Sequence, residues 1–456
     1  MERNTSSESA TTLYPSYPNT PLAFEDTRGS LLDAEKAPAS PPADQEDSEC
    51  PDGGLKAWLC IVGIASGLCA TFGFVNSWGV FQAFYEEFIL RDRSPSDIAW
   101  IGSIQYACVF MPGLAFGRLF DMGYLRLPVG LASILLFTCT MLIPECKEFW
   151  HFLLCQGFGI GLASGVIFTA ALGTGPHWFR KKLGLAMACV AGGSSIGGAI
   201  FPIILRKLIE RQSFGWTLRI TGFIMAAFLI LLNLRSVELT GMFSKTIARR
   251  LPPKKDLGPF LNLSMFKSPA YSVYAFSLFV GFLGIYTALT YLSLSGITEG
   301  VDPDLSFYLT SIANGCSLIG RLGGGLLADR FGPLNILIPG TLIAAAATYA
   351  WPFATTKGSL VAIAVIYGAS SGVYISLNPL PITRMSKLQE VGTNVGMAFS
   401  IMSCGALAGP PIAGAILDHT GSFKNVGYYA GTCLMASIAL FFVARQLILG
   451  GFKGRA

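Results

Sequence analysis

Twelve apolar stretches of about twenty residues recur between Trp58 and Ile448. A run of that length just crosses a bilayer as a helix. Lipid offers no hydrogen-bond partner to an open backbone, and the runs are about twice as long as barrel strands, so helices are the expected form. Only 13% of the 456 residues are charged, against roughly a quarter in a soluble domain. One large core does not account for that deficit. The chain reads as an all-α membrane protein embedded in a lipid bilayer.

The runs fall six and six. Residues 1–50 are rich in Ser, Pro, Thr, Glu and Asp without apolar periodicity, as in a disordered cytosolic tail. A first six-helix bundle is expected over 51–234, a basic cytosolic loop over 235–268, a second bundle over 269–448 and a short cytosolic tail over 449–456. No apolar core follows Met1, so the first span is expected to act as insertion signal. Asn4-Thr5-Ser6 matches a glycosylation acceptor in a tail expected to be cytosolic. Lys245, Arg249, Arg250, Lys254 and Lys255 lie in the central loop, Arg180-Lys181-Lys182 after the fourth span, and Arg118 and Arg126 around the turn after the second. The opposite side holds roughly half as many cations, which predicts cytoplasmic termini; a multi-pass protein of the plasma membrane is expected. Arg206 to Arg211 breaks the trend as a basic cluster on the outer side. It reads either as an anion-holding mouth or as a solvated helix end.

Several chemistries find no support. The 11 cysteines include no CxxC pair, so they read as small packing residues. His151, His177 and His419 fall at predicted helix ends without metal-ligand spacing or a nearby nucleophile. Gly323-Gly324-Gly325 is not followed by Lys-Ser or Lys-Thr, so it is no phosphate loop. No enzyme, metal, cofactor or nucleic-acid partner is expected. A monomer handling a small-molecule substrate is.

The halves echo each other. Gly117-Arg-Leu-Phe-Asp121 follows the second span and Gly325-Leu-Leu-Ala-Asp329 the eighth. Gly184-Leu-Ala-Met-Ala opens the fifth and Gly396-Met-Ala-Phe-Ser lies in the eleventh. Both offsets are a little over two hundred residues, and such repeats mark transporters working by alternating access.

At this point the chain resembles the major facilitator superfamily and, within it, the monocarboxylate-porter family in its fungal branch, over about residues 51 to 448. Pro51-Asp52-Gly53-Gly54 resembles that family's motif before the first span. Trp178-Phe-Arg-Lys181-Lys182 with Gly192-Gly193 resembles its motif at the fifth. Gly320-Arg321 with Gly325 to Gly332 resembles its eighth-span and loop motifs, and Gly409-Pro410-Pro411-Ile-Ala-Gly414 with Asp418 its eleventh-span ending. The resemblance implies two pseudo-symmetric bundles around a central cavity. Where relatives carry a lysine in the first span this chain reads Asn76, and where they carry an aspartate before the arginine it reads Ser317. Of that charged trio only Arg321 remains.

A membrane-embedded arginine is costly and faces a cavity, a partner or the interface. Arg321 is expected to anchor an anionic or oxygen-rich substrate through paired hydrogen bonds. The alternative is snorkelling, since the expected eighth span, Phe307–Leu327, ends about six residues, roughly 9 Å, beyond it. Asn76, Tyr286, Tyr374 and Asn378 are the further expected cavity residues. Asp121, Asp329 and Arg330 are expected to gate the cycle, by capping a helix N-terminus or pairing with an arginine; the alternative is an ordinary turn. No Asp, Glu or His falls in the middle third of a predicted span, so no proton relay is expected. The function expected is secondary transport of a small organic acid or related metabolite, tilted toward export of a secondary metabolite. A non-transporting nutrient sensor on the same scaffold is the alternative.

Overall fold

The computed structural model describes residues 52–234, 263–451 and 454. The tail expected over 1–50, Asn4-Thr5-Ser6 and most of the connector expected over 235–268 lie outside the described residues. Among the described residues, twelve membrane-length helices are α1 (Leu55–Ile89), α2 (Asp97–Asp121), α3 (Arg126–Glu145), α4 (Phe149–Trp178), α5 (Leu183–Arg211), α6 (Phe214–Asn233), α7 (Pro269–Thr298), α8 (Pro303–Phe331), α9 (Pro333–Phe353), α10 (Lys357–Met385), α11 (Leu388–Thr420) and α12 (Phe423–Leu449). Eleven are apolar enough to cross a membrane on composition; α8 is long enough but too polar. The helix that breaks the hydropathy rule is the one carrying Arg321.

The α8 helix extends one turn past each end of its apolar run. Asp302 starts it by accepting from the Leu305 amide at 3.1 Å, and Gly332, at φ +98°, ends it in a conformation that favours glycine. Ten residues therefore separate Arg321 from the helix end at Phe331, roughly 15 Å. That depth corrects the shorter estimate behind the snorkelling alternative.

Among the described residues four helices are interrupted partway, α2 at Met111–Pro112 and three others as follows. The α1 helix breaks at Asn76–Ser77, where the Ser77 hydroxyl turns back to the Gly73 carbonyl at 2.8 Å. In the other half α7 breaks at Ile285–Tyr286, and the Tyr367 hydroxyl of α10 donates to the Ile285 carbonyl. The α10 helix breaks at Asn378 before Pro379 and Pro381, which lack the N–H a helix needs. There the Asn378 carbonyl takes the Tyr274 hydroxyl at 2.8 Å. Neighbouring helices thus satisfy backbone groups that lipid would leave bare.

The glycine-rich segments bring backbones together. A Cβ on Gly193 or Gly197 of α5 would collide with carbonyls of Ala65 and Cys69 on α1; one on Gly405 or Gly409 of α11 would collide with Phe279 and Leu283 on α7. Helices α3, α6, α9 and α12 instead turn exposed apolar side chains outward, among them Ile134, Phe223, Ile343 and Val443. Those faces suit lipid.

Candidate functional site

A chamber lies between the halves. Its lining comes from α1, α2, α4 and α5 of the first half and α7, α8, α10 and α11 of the second. One wall is aromatic: Phe110 of α2 packs against Phe168 of α4 at 5.4 Å and Phe282 of α7 at 5.4 Å, and Phe168 meets Phe399 of α11 at 5.6 Å. The opposite wall, α5 and α8, is polar and holds Ser194, Asn314, Ser317 and Arg321.

Arg321 is 4% exposed. Its Nη1 donates to the Ala191 carbonyl and the Ser194 hydroxyl, both on α5. Both acceptors are neutral, so neither balances the charge. Its Nε–H is buried without a partner among the described residues. A buried donor on a cation is expensive to leave unmet. The side chain crosses between the halves and does not run along α8 toward the helix end, as snorkelling would require.

Asn76, Tyr286 and Asn378 also line the chamber, each at a helix break. Asn76 Oδ1 accepts from the Tyr106 hydroxyl at 3.0 Å, and the Tyr106 ring lies 5.4 Å from that of Tyr286. The Asn378 Oδ1 is buried without a partner among the described residues. Tyr374 corrects its expectation: fully buried, it stands behind the wall, its hydroxyl against Gly281 of α7, where the missing side chain leaves room. Depth alone does not reveal which face of a helix a residue occupies. Tyr106 and the aromatic wall were missed, because phenylalanines in apolar spans carry no signal that separates lining from core.

At the end that carries the basic turns, two carboxylates bind backbone of the opposite half. Asp329 of α8 accepts from the amides of Gly184 at 2.6 Å and Leu185 at 2.9 Å, the first turn of α5. Asp121 of α2 accepts from Gly392 at 3.1 Å and from the amide and hydroxyl of Thr393 at 2.6 Å each, near the start of α11. Unsatisfied amides and the helix dipole make each N-terminus an anion site. A Cβ on Gly184 would lie 2.5 Å from the Gly325 carbonyl, and one on Gly392 2.5 Å from that of Gly117. The sequence echo is thus a structural one: Asp and Gly on one helix, Gly and the next amide on its partner. Arg330 takes no part in this contact. It is exposed with its guanidinium 5.4 Å above the Phe331 ring, and the cation whose charge Asp329 feels is Arg384 of α10. Next to the helix end that faces α8, Asp329 points inward and the adjacent residue must point out.

Asp52 adds a third carboxylate–amide contact at this end. It accepts from the amides of Arg180 at 2.6 Å and Lys181 at 2.7 Å in the turn before α5. Gly54, at φ +89°, lets the chain pass from that contact into α1. At the opposite end Arg206 pairs with Asp304 and Glu210 and lies 4.4 Å over the Phe307 ring. It ties α5 to α8, a role that neither reading of the basic cluster contained.

Twelve helices in two pseudo-symmetric halves, around a chamber with mirrored Asp–amide contacts at one end, define a transporter architecture. The Major Facilitator Superfamily profile matches residues 67–380 and 300–448, and the chain belongs to that superfamily. It is 37% identical over 413 residues to an aspyridones efflux protein, apdF, of Emericella nidulans, covering 90% of this chain and 82% of the relative. It is 36% identical over 450 residues to the MFS transporter asaE of Aspergillus flavus, covering 98% and 97%. Agnestins efflux protein AgnL12 of Paecilomyces divaricatus is 32% identical, covering 94% of each chain. Among solved structures, the human organic anion transporter MFSD10 superposes with a TM-score of 0.64 at 14% identity, covering 85% of this chain and 98% of that one. The Escherichia coli fucose:proton symporter FucP gives 0.62 at 17% identity, with coverage of 85% and 98%. The fold is that of the superfamily. The protein is a multi-pass membrane transporter, from a family of carriers and not of enzymes.

Proposed function

We propose that this transporter exports an amphipathic secondary metabolite bearing an acidic or oxygen-rich group, across the plasma membrane and by alternating access. One observation carries the reading: a desolvated guanidinium with an unmet Nε–H, set in a chamber wall opposite a wall of phenylalanines. An anionic or carbonyl oxygen satisfies the first, and an apolar or ring-bearing body covers the second. The efflux functions named for relatives at 32–37% identity support the direction. The four motifs support placement in the monocarboxylate-porter family. Asn76, Tyr286 and Asn378 would orient the solute.

The basic turns support a cytoplasmic position for the Asp121 and Asp329 contacts. On that reading these contacts seal the carrier to the cytoplasm, and rocking toward it releases the α5 and α11 amides. Among the described residues, the carboxylates on α2 and α8 that bond the other half sit at the two ends of the helices, Asp121 and Asp329 at this one and Asp304 at the other, far from the chamber centre. No proton relay is therefore proposed, and the solute either runs downhill or carries its own proton.

The test is efflux from yeast expressing the full chain, loaded with aromatic carboxylic acids or their methyl esters. Acids should leave faster than from cells expressing Arg321→Ala at equal protein level, and esters, which keep only the carbonyl acceptor, should show a smaller difference. Full activity in the variant toward both would refute the anchor. In proteoliposomes, uphill accumulation of a non-titrating solute under an imposed pH gradient would refute the missing relay.

A further inference from the structure

Arg321 is one rung of a polar ladder that joins the halves across the chamber wall. On α8, residues 314, 317 and 321 share one face at helical spacing. Each meets α5: the Asn314 amide donates to the Gly198 carbonyl at 3.3 Å, the Ser317 and Ser195 hydroxyls lie 2.6 Å apart, and Arg321 holds the Ala191 carbonyl and Ser194 hydroxyl. Ser194, Asn314, Ser317 and Arg321 all border the chamber. The group that would bind a solute is thus already engaged, and by the other half of the protein.

We propose that the Ala191 carbonyl and Ser194 hydroxyl are a built-in stand-in for the solute's anionic group. They hold Arg321 while the carrier is empty, and the solute must take the guanidinium from them. This rests on reading the chamber as the solute site. The physical reason is the cost of a bare cation in a dry wall: without α5 the empty carrier would bury an unsolvated guanidinium each time it closed. Two neutral acceptors lower that cost without matching a carboxylate, so a true anion wins the exchange. Because the stand-in belongs to one half and the cation to the other, the exchange also removes a tie between them. A ligand shifts a two-state equilibrium only through such a difference in contacts. Ser194 is therefore a positioning residue that sets affinity and empty-carrier closure together.

The test uses purified full-length protein in lipid nanodiscs and two probes. Phenylglyoxal, which modifies arginine, reads how free the guanidinium is, by mass spectrometry of the Arg321 peptide. Without ligand, Ser194→Ala should label about tenfold faster than the native chain, the loss of one charge-assisted hydrogen bond, and Ser194→Thr should label at the native rate. The anion 1-hydroxy-2-naphthoate should then protect Ser194→Ala at about tenfold lower concentration than it protects the native chain. A purely structural role for Ser194 would weaken folding without tightening anion protection. Equal labelling of the two forms overturns the tie and leaves the chamber reading standing. Unequal labelling with no naphthoate protection of either form overturns the displacement by an anion, and the anionic-solute reading with it.

Discussion

The two seams between the halves, α5 with α8 and α2 with α11, are pseudo-symmetric partners that start alike and then diverge. Both begin with a carboxylate on the amides of the opposite helix and a glycine pair in backbone contact. One turn higher, α2 and α11 stay close through Gly113 against Gly396, and the Ser400 hydroxyl bonds the Met111 carbonyl at 2.9 Å and the Leu114 amide at 3.1 Å where α2 breaks. Phe110 and Phe399, 6.3 Å apart, end that seam in the aromatic wall. On α5 and α8 the equivalent depth holds Arg321, and polar contacts continue through Ser317 and Asn314 to Arg206 with Asp304 at the far end. The repeat thus keeps the carboxylate–amide contact in both seams but carries polar side chains into the deeper turns of only one. On the proposed function, matched contacts would serve closure and the unmatched turns recognition.

Four measurements test that contrast. Largest is Arg321→Ala, expected to cut flux about a hundredfold at unchanged protein level, roughly 2.7 kcal/mol; near-native flux would leave the polar seam without a recognition role. Next, Asp121→Asn should lower the thermal stability of the solubilised protein by about 2–3 kcal/mol, since Asp121 is fully buried and accepts from both amides and the Thr393 hydroxyl. Asp329→Asn, at a half-buried site with two amide bonds, should cost about 1 kcal/mol. Reversal of that order would show that the gate is not graded by burial.

Third, Gly396→Ala drives a methyl into the Gly113 backbone and should destabilise by about 1–2 kcal/mol. Gly192→Ala, one turn deeper in the other seam, meets only the end of Leu318, 2.9 Å away, and should cost less than about 1 kcal/mol because that side chain rotates aside. Equal melting shifts would mean that both seams are packed to the same tolerance. Smallest is Asp52→Ala, expected to cost about 1 kcal/mol or less, as for an exposed cap. A larger loss, read in the same melting assay, would make that turn part of the gate and not a brace beside it.

How much was legible differs residue by residue. Asp121 and Asp329 stood out as echoes in repeated strings, and the structure gives both the same backbone partners in opposite halves. Arg330, next in the string, looked equivalent, but helix geometry turns it outward and leaves Arg384 as the nearby cation. Asn76 and Tyr286 lie at matching breaks in α1 and α7, where a polar side chain reaches the chamber. Tyr374 has the same chemistry at similar depth yet faces Gly281, because a gap in α7 accepts its ring. Ser317 reads in the sequence only as the place where relatives carry an aspartate; its contact with Ser195 depends on the packing of α5 on α8.

Composition and hydropathy alone determined the span count, the helical class, the six-plus-six division and the presence of one anomalous cation. Those follow from local physics: each segment must satisfy its own backbone in lipid, whatever its neighbours do. Tertiary structure decided which face of α8 meets α5, that Arg321 bonds across the halves, and that the wall opposite is aromatic. Those depend on helix pairs more than a hundred residues apart in the chain, whose relative rotation is set by where glycines let backbones touch.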